Sequence, residues 1–560
     1  MAERGAARWR RICAAVDNGK QTPRRHTRPI IPAPAVIRRR PRGLLVSGAL
    51  LVVLAALVVT ALIDGGAHGE PGARPLALAP AMPHPGPGPE VRYAGPHGSL
   101  AGPVLLRARA HSAGARIVAV TFRLDGRPLG TDTAPPYTLD VDAGALPPGR
   151  HRLGVEAVDR LGGRASTRPV HVTTRGAPSG TLVRAPGPAF DAALAALARG
   201  GATVRLGPGV FTVGELRLGS GSRLIGSGRR TVLAAAGRPW ALVLIRGHGV
   251  RVDDLTLEGA GRTGRAVAVA GGSAGVRLRK LEIAGVREHG VEAWGAHTDV
   301  SVQDSVISGL GASGAGVFDV GSDRSRDSSV VRTRIRGFRG FGIDFVQTRY
   351  GRPWAASRAL ALDNRISDIQ NPATATGTSE GGIWSGGGAA AIIGNRIADT
   401  GWDGIETVGS SLGVSIVDND IERTRVGIYL EHETNRSLVA GNTITDAMTG
   451  INSEWRYGGR GSSRNTLVGN RIVGPSEAGL FIDVAGDHDR LSGNLVVRGG
   501  GPPIVLQGAS DNVVTGNHAC AGRAGPVVVL QSAHYGDGSP ANSLRNRVAG
   551  NANVASCTRP

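Results

Sequence analysis

From residue 200 onward, Val, Ile and Leu occur in short runs closed by Gly, Asn or Asp, with no stretch of ten or more residues at helical spacing. Two signals recur through these runs. A Gly followed by Ile, Val or Leu stands at 290, 316, 342, 382, 404, 427, 450 and 479, at spacings of 26, 26, 40, 22, 23, 23 and 29 residues. Asn-x-Ile or a close relative stands at Asn364, Asn395, Asn419, Asn442, Asn470, Asn494 and Asn517. Two phased series sharing one period predict one repeating coil of two or three short strands. Helical solenoids are excluded, the leucine-rich pattern is absent, and a parallel β-helix with coils about 4.8 Å apart remains. Asn tolerates left-handed backbone and can bond to the Asn one coil away, so the Asn series reads as a structural ladder rather than chemistry.

Upstream, PAFDAALAALARG between Pro188 and Gly200 has the spacing of a short amphipathic helix, placed to cover the open first coil. Residues 90–175 alternate as short strands between Gly, Pro and Asp turns, and residues 64–89 form a Pro/Gly-rich linker. Leu44 to Ile63 is a twenty-residue run without a charge, long enough to cross a bilayer as a helix. Arg38, Arg39, Arg40 and Arg42 precede it within the basic segment 1–43, which places the N-terminus in the cytoplasm and everything after Asp64 outside. The competing reading is a cleaved signal peptide, with Val59-Thr60-Ala61 as the cleavage site.

Composition changes this picture in two respects. The net charge of +21 suggests nucleic acid, but eleven Arg and Lys20 lie within residues 1–43, before the apolar run, and no nucleic-acid partner is expected. Cys520 and Cys557 are the two cysteines on the outer side, where disulfides persist, and are expected to pair.

Asp125-Gly126, Pro136-Tyr137, Gly149 with His151, and Ala157 with Asp159 together resemble bacterial Ig-like β-sandwich modules, which implies a spacer or binding module over residues 90–175. GNRIADTGWDGIETV and DNDIERTRVGIYLEH resemble right-handed β-helix repeat proteins of the pectate-lyase-like superfamily. The fold class expected is therefore mainly β: a right-handed parallel β-helix over 188–557, preceded by a small Ig-like sandwich and one transmembrane helix. The resemblance implies a carbohydrate partner, polysaccharide or cell-wall glycan, and the chain is expected to be a monomer.

If the residue after each recurrent Gly points inward, the second and fourth residues after it point outward. The first outward column reads Glu292, Phe318, Asp344, Trp384, Glu406, Tyr429, Asn452 and Phe481, and the second carries Trp294, Glu431 and Glu454. Aromatics stack on sugar rings and carboxylates hold hydroxyls or move protons, so this face is the candidate site. The catalytic candidates are Glu431, Glu454, Glu406, Asp344 and His432. The substrate-binding candidates are Trp384, Tyr429, Trp294, Trp455, Tyr350 and Trp354, the last two in a long insertion. Glu431 and Glu454, one coil apart, suit one carboxylate pair; Asp344 and Glu406, two coils apart, suit a wider one. Leu430-Glu431-His432-Glu433 is similar to the Asp-Pro-His-Glu of alginate epimerases in its last two residues. Lyase or epimerase chemistry would use Tyr429, His432 and an Arg, with calcium as the expected cation, held by Glu431 or Glu433. Hydrolase, lyase and epimerase stay open, beside a non-catalytic glycan-binding or adhesion module.

The topology has a direct test. On intact cells a C-terminal tag is expected to be cut by added protease and an N-terminal tag to be protected; a freely secreted protein starting near Leu62 would reject the anchor.

Overall fold

The structure is a computed structural model that describes residues 88–321, 325–346, 358–369, 381–454, 461–520, 525–535, 539–554 and 557. Residues 1–87, with the apolar run 44–63, lie outside them. Among the described residues no helix is long and apolar enough to cross a membrane.

Each coil contributes three short strands to three parallel sheets. Asp403–Ser411, Ser415–Val417 and Asp420–Glu422 make one coil, and Val426–Leu430, Leu438–Ala440 and Thr443–Thr445 the next. Register is exact in side-chain phase: Ile405, Ile428, Ile451 and Leu480 align in the first sheet, and Ile397, Ile421, Ile444 and Ile472 in the third. All of these are buried in one continuous core. Each such burial stabilises by about 1.5–3 kcal/mol, which makes the interior ladders the main attractive term. The helix Pro188–Arg199 turns Phe190, Ala193 and Leu197 onto the first coils and covers that end of the core.

The recurrent Gly follows from close approach rather than from a left-handed backbone. A Cβ on Gly404 would lie 2.5 Å from Ile421 Cγ2 and 2.6 Å from the Gly427 carbonyl oxygen, and one on Gly450 would lie 2.5 Å from both Ile472 Cγ2 and the Gly479 oxygen. At this corner the chain enters the first sheet against the Ile ladder of the third, and only hydrogen fits.

The Asn ladder is present and fully bonded. Asn419 Oδ1 accepts from the backbone N–H (2.9 Å) and the Nδ2 (2.9 Å) of Asn395, while its own Nδ2 donates to Asn442 Oδ1 (2.9 Å) and the Ile392 carbonyl (3.0 Å). The left-handed residue is the one before each Asn, not the Asn: Asp363, Gly394, Asp418, Gly441 and Gly469 all have φ between 53° and 65°. The side chain closes a turn whose strain the preceding residue carries, and this corrects the expectation from sequence.

A second ladder, not anticipated, lines the bend between the first and second sheets. Ser437 N–H donates to Asn465 Oδ1 (2.9 Å), Asn465 N–H to Asp489 Oδ1 (2.7 Å), Asp489 N–H to Asn512 Oδ1 (2.7 Å), and Asn512 N–H to Asn546 Oδ1 (2.9 Å). Each member stands five residues before an Asn of the first ladder, a spacing readable in the sequence. Asp489 is the one acid in it, and its Oδ2 and the Asn512 Nδ2 are buried without a hydrogen bond.

Residues 90–175 form a sandwich. Glu90–Tyr93, Pro103–His111 and Thr138–Asp142 pair antiparallel in one sheet; the other runs Gly98–Ala101, Val170–Arg175, Gly149–Asp159, Ile117–Leu124, Arg127–Asp132. The motif residues hold its turns. Asp125 accepts from the Arg152 N–H (2.8 Å) and pairs with His151 Nδ1 (2.7 Å), and Asp159 accepts from the N–H groups of Leu161 and Gly163, both at 2.9 Å.

This module lies on the outer face of the second sheet. Val118, Ala119 and Val158 pack against Val331, Leu362 and Ile393. Gln303 bonds both the N–H (2.9 Å) and the carbonyl (2.8 Å) of Thr131, occupying the unpaired edge of the sandwich as a strand would. Ion pairs join the two: Asp140 and Asp142 of the sandwich hold Arg223 (2.6 Å) and Arg205 (2.7 Å) of the β-helix, and Arg164 of the sandwich reaches Asp363 of the β-helix (2.7 Å). The sandwich therefore packs on the β-helix as well, a contact that the reading as a spacer or binding module does not include.

Burial pushes the Asp489 carboxyl well above the ordinary range, with Asp487 adding to the effect and the Asn465 N–H opposing it. An acid raised in the folded state binds more protons there than in the unfolded chain, so its contribution is lost as pH rises from the ordinary carboxylate range through the folded pKa. Asp489→Asn restores the amide donor that Asn465 and Asn546 use, and is expected to stabilise at neutral pH by about 1–3 kcal/mol. Denaturant melts should show the gap between the two proteins closing as pH falls toward 4; no gap at any pH would refute the assignment.

Candidate active site

The Gly corner fixes the phase of the first sheet. Ile after Gly is inward, and the next residue is outward. Glu292, Phe318, Asp344, Trp384, Glu406, Tyr429, Asn452 and Phe481 consequently stand in one register-matched ladder on its outer face. Beside it, Trp294, Val320, Val346, Gly386 and Val408 align, and the ladder continues past the strand ends with Glu431 and Glu454, whose N–H groups donate to the Thr407 (2.8 Å) and Leu430 (3.1 Å) carbonyls.

Glu406 is the centre of this face. Although outward, it is only 4 % exposed, and its carboxyl hydrogen-bonds to those of Asp403 and Glu431. Ionised carboxylates only accept, so each bond between two of them needs a proton. Burial is the largest cause holding the Glu406 proton well above the usual range, followed by the charges of Asp403 and Glu431. His432 Nδ1 stands 3.8 Å from Glu431 Oε1.

One coil on, Glu454 Oε2 accepts from the Tyr429 hydroxyl (2.9 Å) and Asn452 Nδ2 (3.1 Å). Glu454 thus groups with Tyr429 and Asn452, and Glu431 with Glu406. Trp384 precedes Glu406 on the ladder and tilts against Phe341 at 6.3 Å between ring centroids. Arg425 lies over the Trp402 ring at 3.7 Å, beside Asp403.

Asp344 is on the same ladder, with Trp384 between it and Glu406. Burial raises its pKa well above the ordinary value, and Asp319 adds to this. Asp319 points into the coil interior and pairs with His297 Nε2 at 2.7 Å. His297 Nδ1 faces the Gly295 carbonyl at 2.9 Å, which can only accept, so the proton between Nε2 and Asp319 makes this a buried ion pair or its neutral equivalent. Ser328 Oγ is 3.3 Å from the same Nε2, but all three are enclosed in the core and resemble a nucleophilic triad in composition only.

Trp294 belongs elsewhere on the face. It meets Trp240 edge to face at 5.2 Å, Arg265 lies 4.8 Å over Trp240, and Glu288 (2.7 Å) and Glu292 hold Arg265. Four coils, about 19 Å, separate Glu292 from Glu406 along the ladder. Tyr350, Trp354 and Trp455 lie outside the described residues. Asp403 was missed from sequence, although it directly precedes a recurrent Gly at a position filled by Phe341, Gly381, Val426 and Thr449 in other coils. Trp240 stands before the first recurrent Gly and carries no repeat signal. Cys520 and Cys557 form a disulfide at the C-terminal coils.

Residues 356–520 match the family model "Periplasmic copper-binding protein (NosD)", and residues 89–155 match "Bacterial Ig domain". No curated protein matches the chain. Among solved structures, the A-module of a mannuronan C-5 epimerase from Azotobacter vinelandii is 17% identical at TM-score 0.39, over 66% of this chain and 94% of that one. A family 28 exopolygalacturonase from Yersinia enterocolitica is 10% identical at 0.38, over 83% and 100%. An α-1,3-glucanase from Streptomyces thermodiastaticus is 13% identical at 0.36, over 84% and 87%. These likenesses are too slight to carry any residue's role across.

Copper would call on His, Met or Cys. Within 356–520 these are His432, Met448, His488, His518 and Cys520, the last tied in the disulfide. Among the described residues no three His, Cys, Asp or Glu are grouped to hold a metal ion.

The carboxyl trio has a spectroscopic consequence. With ¹³C-labelled glutamate, the Glu406 carboxyl is expected to resonate as a neutral acid at pH 7, and Glu431→Gln to move its titration to lower pH by removing a neighbouring negative charge. An ionised Glu406 at neutral pH would refute the arrangement.

Proposed function

We propose that the outer face of the first sheet cleaves a polysaccharide outside the cytoplasm by acid–base chemistry, with Glu406 as the proton donor. The observation that carries this reading is the Glu406 carboxyl, whose pKa is raised well above the ordinary range by burial first and by its neighbours Asp403 and Glu431 second. Glycosidic cleavage needs one carboxyl that holds its proton near neutral pH and a second that stays ionised. Glu406 is assigned the first role, and Glu431, next to His432, the second. Tyr429, Asn452 and Glu454 offer hydroxyl, amide and carboxylate partners to sugar hydroxyls, and Trp384 supplies a face for a ring. Hydrolysis is favoured over lyase or epimerase chemistry because Glu406 is surrounded by acids, whereas a uronate carboxylate would need a cation beside it.

The location outside the cytoplasm rests on the basic segment 1–43, the apolar run 44–63 and the Cys520–Cys557 disulfide. We assign residues 44–63 as a single membrane anchor and the chain as a monomer.

Glu406→Gln is expected to lower turnover of a cleaved polysaccharide about 10²–10⁴-fold with binding retained. Trp384→Ala is expected chiefly to weaken binding. In the wild type, activity should fall on the alkaline side as Glu406 loses its proton, and Asp403→Asn should move that limb to lower pH. Glycan binding without product from any polysaccharide tested would replace this reading by a non-catalytic binding module.

A further inference from the structure

We infer that the outer face of the third sheet binds an extended acidic glycan, one that carries a carboxylate on successive rings. Arg334, Arg365 and Arg396 are register partners on three consecutive coils there. Each stands one residue before an inward Ile of the core, Ile335, Ile366 and Ile397, so the three side chains point outward, and all three are exposed.

Elsewhere in the β-helix an arginine is answered by an acid one coil before it: Asp304 holds Arg332 (2.7 Å), Asp399 holds Arg423 (2.7 Å) and Asp511 holds Arg545 (2.6 Å). The row departs from this habit. Arg365 has an arginine on either side, and like charges about 4.8 Å apart on neighbouring strands repel. Among the described residues neither Arg334 nor Arg365 makes a side-chain hydrogen bond or ion pair. Arg396 meets Asp420 only at 3.7 Å, with both side chains more than half exposed. Acids flanking the row are held by other cations: Arg164 of the sandwich takes both oxygens of Asp363, and Arg423 those of Asp399. Exposed Arg336, whose Nε donates to Ser308 Oγ (3.3 Å), adds a fourth guanidinium beside Arg334, while Asp368 in the adjoining turn accepts from the Ser367 hydroxyl (3.2 Å). Four guanidiniums against Asp368 and Asp420 leave positive charge in excess, which an anion from outside the chain complements.

The spacing decides the shape of that anion. The forks recur about every 4.8 Å in a line along the coil axis, close to the length of one sugar ring in an extended glycan. Each fork matches a carboxylate with two parallel bonds. A nucleic-acid strand carries its charges about 3.4 Å apart along a winding path, and a small anion would use one rung alone. Ser367 and Ala398, the next outward residues beside Arg365 and Arg396, are short, so the forks stand above their surroundings on that side. This face is on a different sheet from Glu406. It would hold the protein on the glycan without cleaving it, and the inference stands whether or not the first sheet is catalytic.

The test is calorimetric titration of the full chain in mild non-ionic detergent with an oligogalacturonate long enough to span three coils. Saturable binding that weakens as sodium chloride is raised is expected, and a neutral maltooligosaccharide of equal length should bind about tenfold more weakly or not at all. Arg365→Gln should weaken binding about threefold, and Arg334→Gln, Arg365→Gln and Arg396→Gln together about tenfold or more, since each exposed ion pair contributes little alone. Arg199→Gln on the cap helix and Glu406→Gln on the first sheet should both bind like the wild type. Absence of saturable binding, equal affinity for the neutral glycan, or wild-type affinity in the folded triple variant overturns the inference. Binding to mixed micelles of phosphatidylglycerol without binding to the oligogalacturonate overturns it too, and gives the row to a membrane surface. Should the triple variant fail to fold, Arg365→Glu alone decides, and its unchanged affinity would equally overturn it.

Discussion

The hydrogen bonding of each coil to the next is the constraint on which this molecule depends. A parallel ladder leaves no freedom in side-chain phase, because a slip of one residue would turn every Ile of the core to solvent. The phase is locked at the Gly corner, where the first and third sheets approach too closely for a Cβ. Everything outward on the first sheet, from Glu292 to Phe481, inherits its position from that corner. The chemistry on this face is set by backbone packing several ångströms beneath it.

Such a stack has to settle its buried polar atoms coil by coil. Asn does so at one bend with all its donors and acceptors used, and each bond contributes only about 1 kcal/mol net, whereas one left open costs about 1–3 kcal/mol. The ladder is therefore sensitive to a single wrong residue, and Asp489 shows what an acid does there. Inside the coil, His297 and Asp319 form a pair whose geometry requires a proton between them. Burial acts to lower the His297 pKa, and the Asp319 charge with its hydrogen bond outweighs it. Outside, burial and the charges of Asp403 and Glu431 raise the Glu406 pKa, because neighbouring carboxyls away from water resist ionising together.

The sandwich shows a different use of the repeat. Its apolar residues cover Val331, Leu362 and Ile393, which would otherwise be an exposed hydrophobic stripe on the second sheet. Its acids meet Arg205, Arg223 and Arg251 of the earlier coils. The second sheet is given to the chain's own module, while the carboxyls and aromatics of the proposed site stand on the first.

The sequence by itself determined the coil, the cap helix, the inward Ile, the structural role of Asn and the membership of the outward column, because a fixed backbone period translates directly into position. It could not determine which outward residues meet. Whether Glu431 joins Glu454 or Glu406 depends on side-chain reach across coils and on what Tyr429 and Asn452 take. Asp403 stood in a column the period does not mark as outward, since the Gly corner places two consecutive residues inward and breaks the simple alternation. Nor was the docking of the sandwich legible: its contacts with Gln303, Asp363 and Arg223 join residues far apart in the chain, and no local pattern encodes them. The repeat records what each coil owes to its neighbours, and only the folded chain decides what two distant surfaces owe to each other.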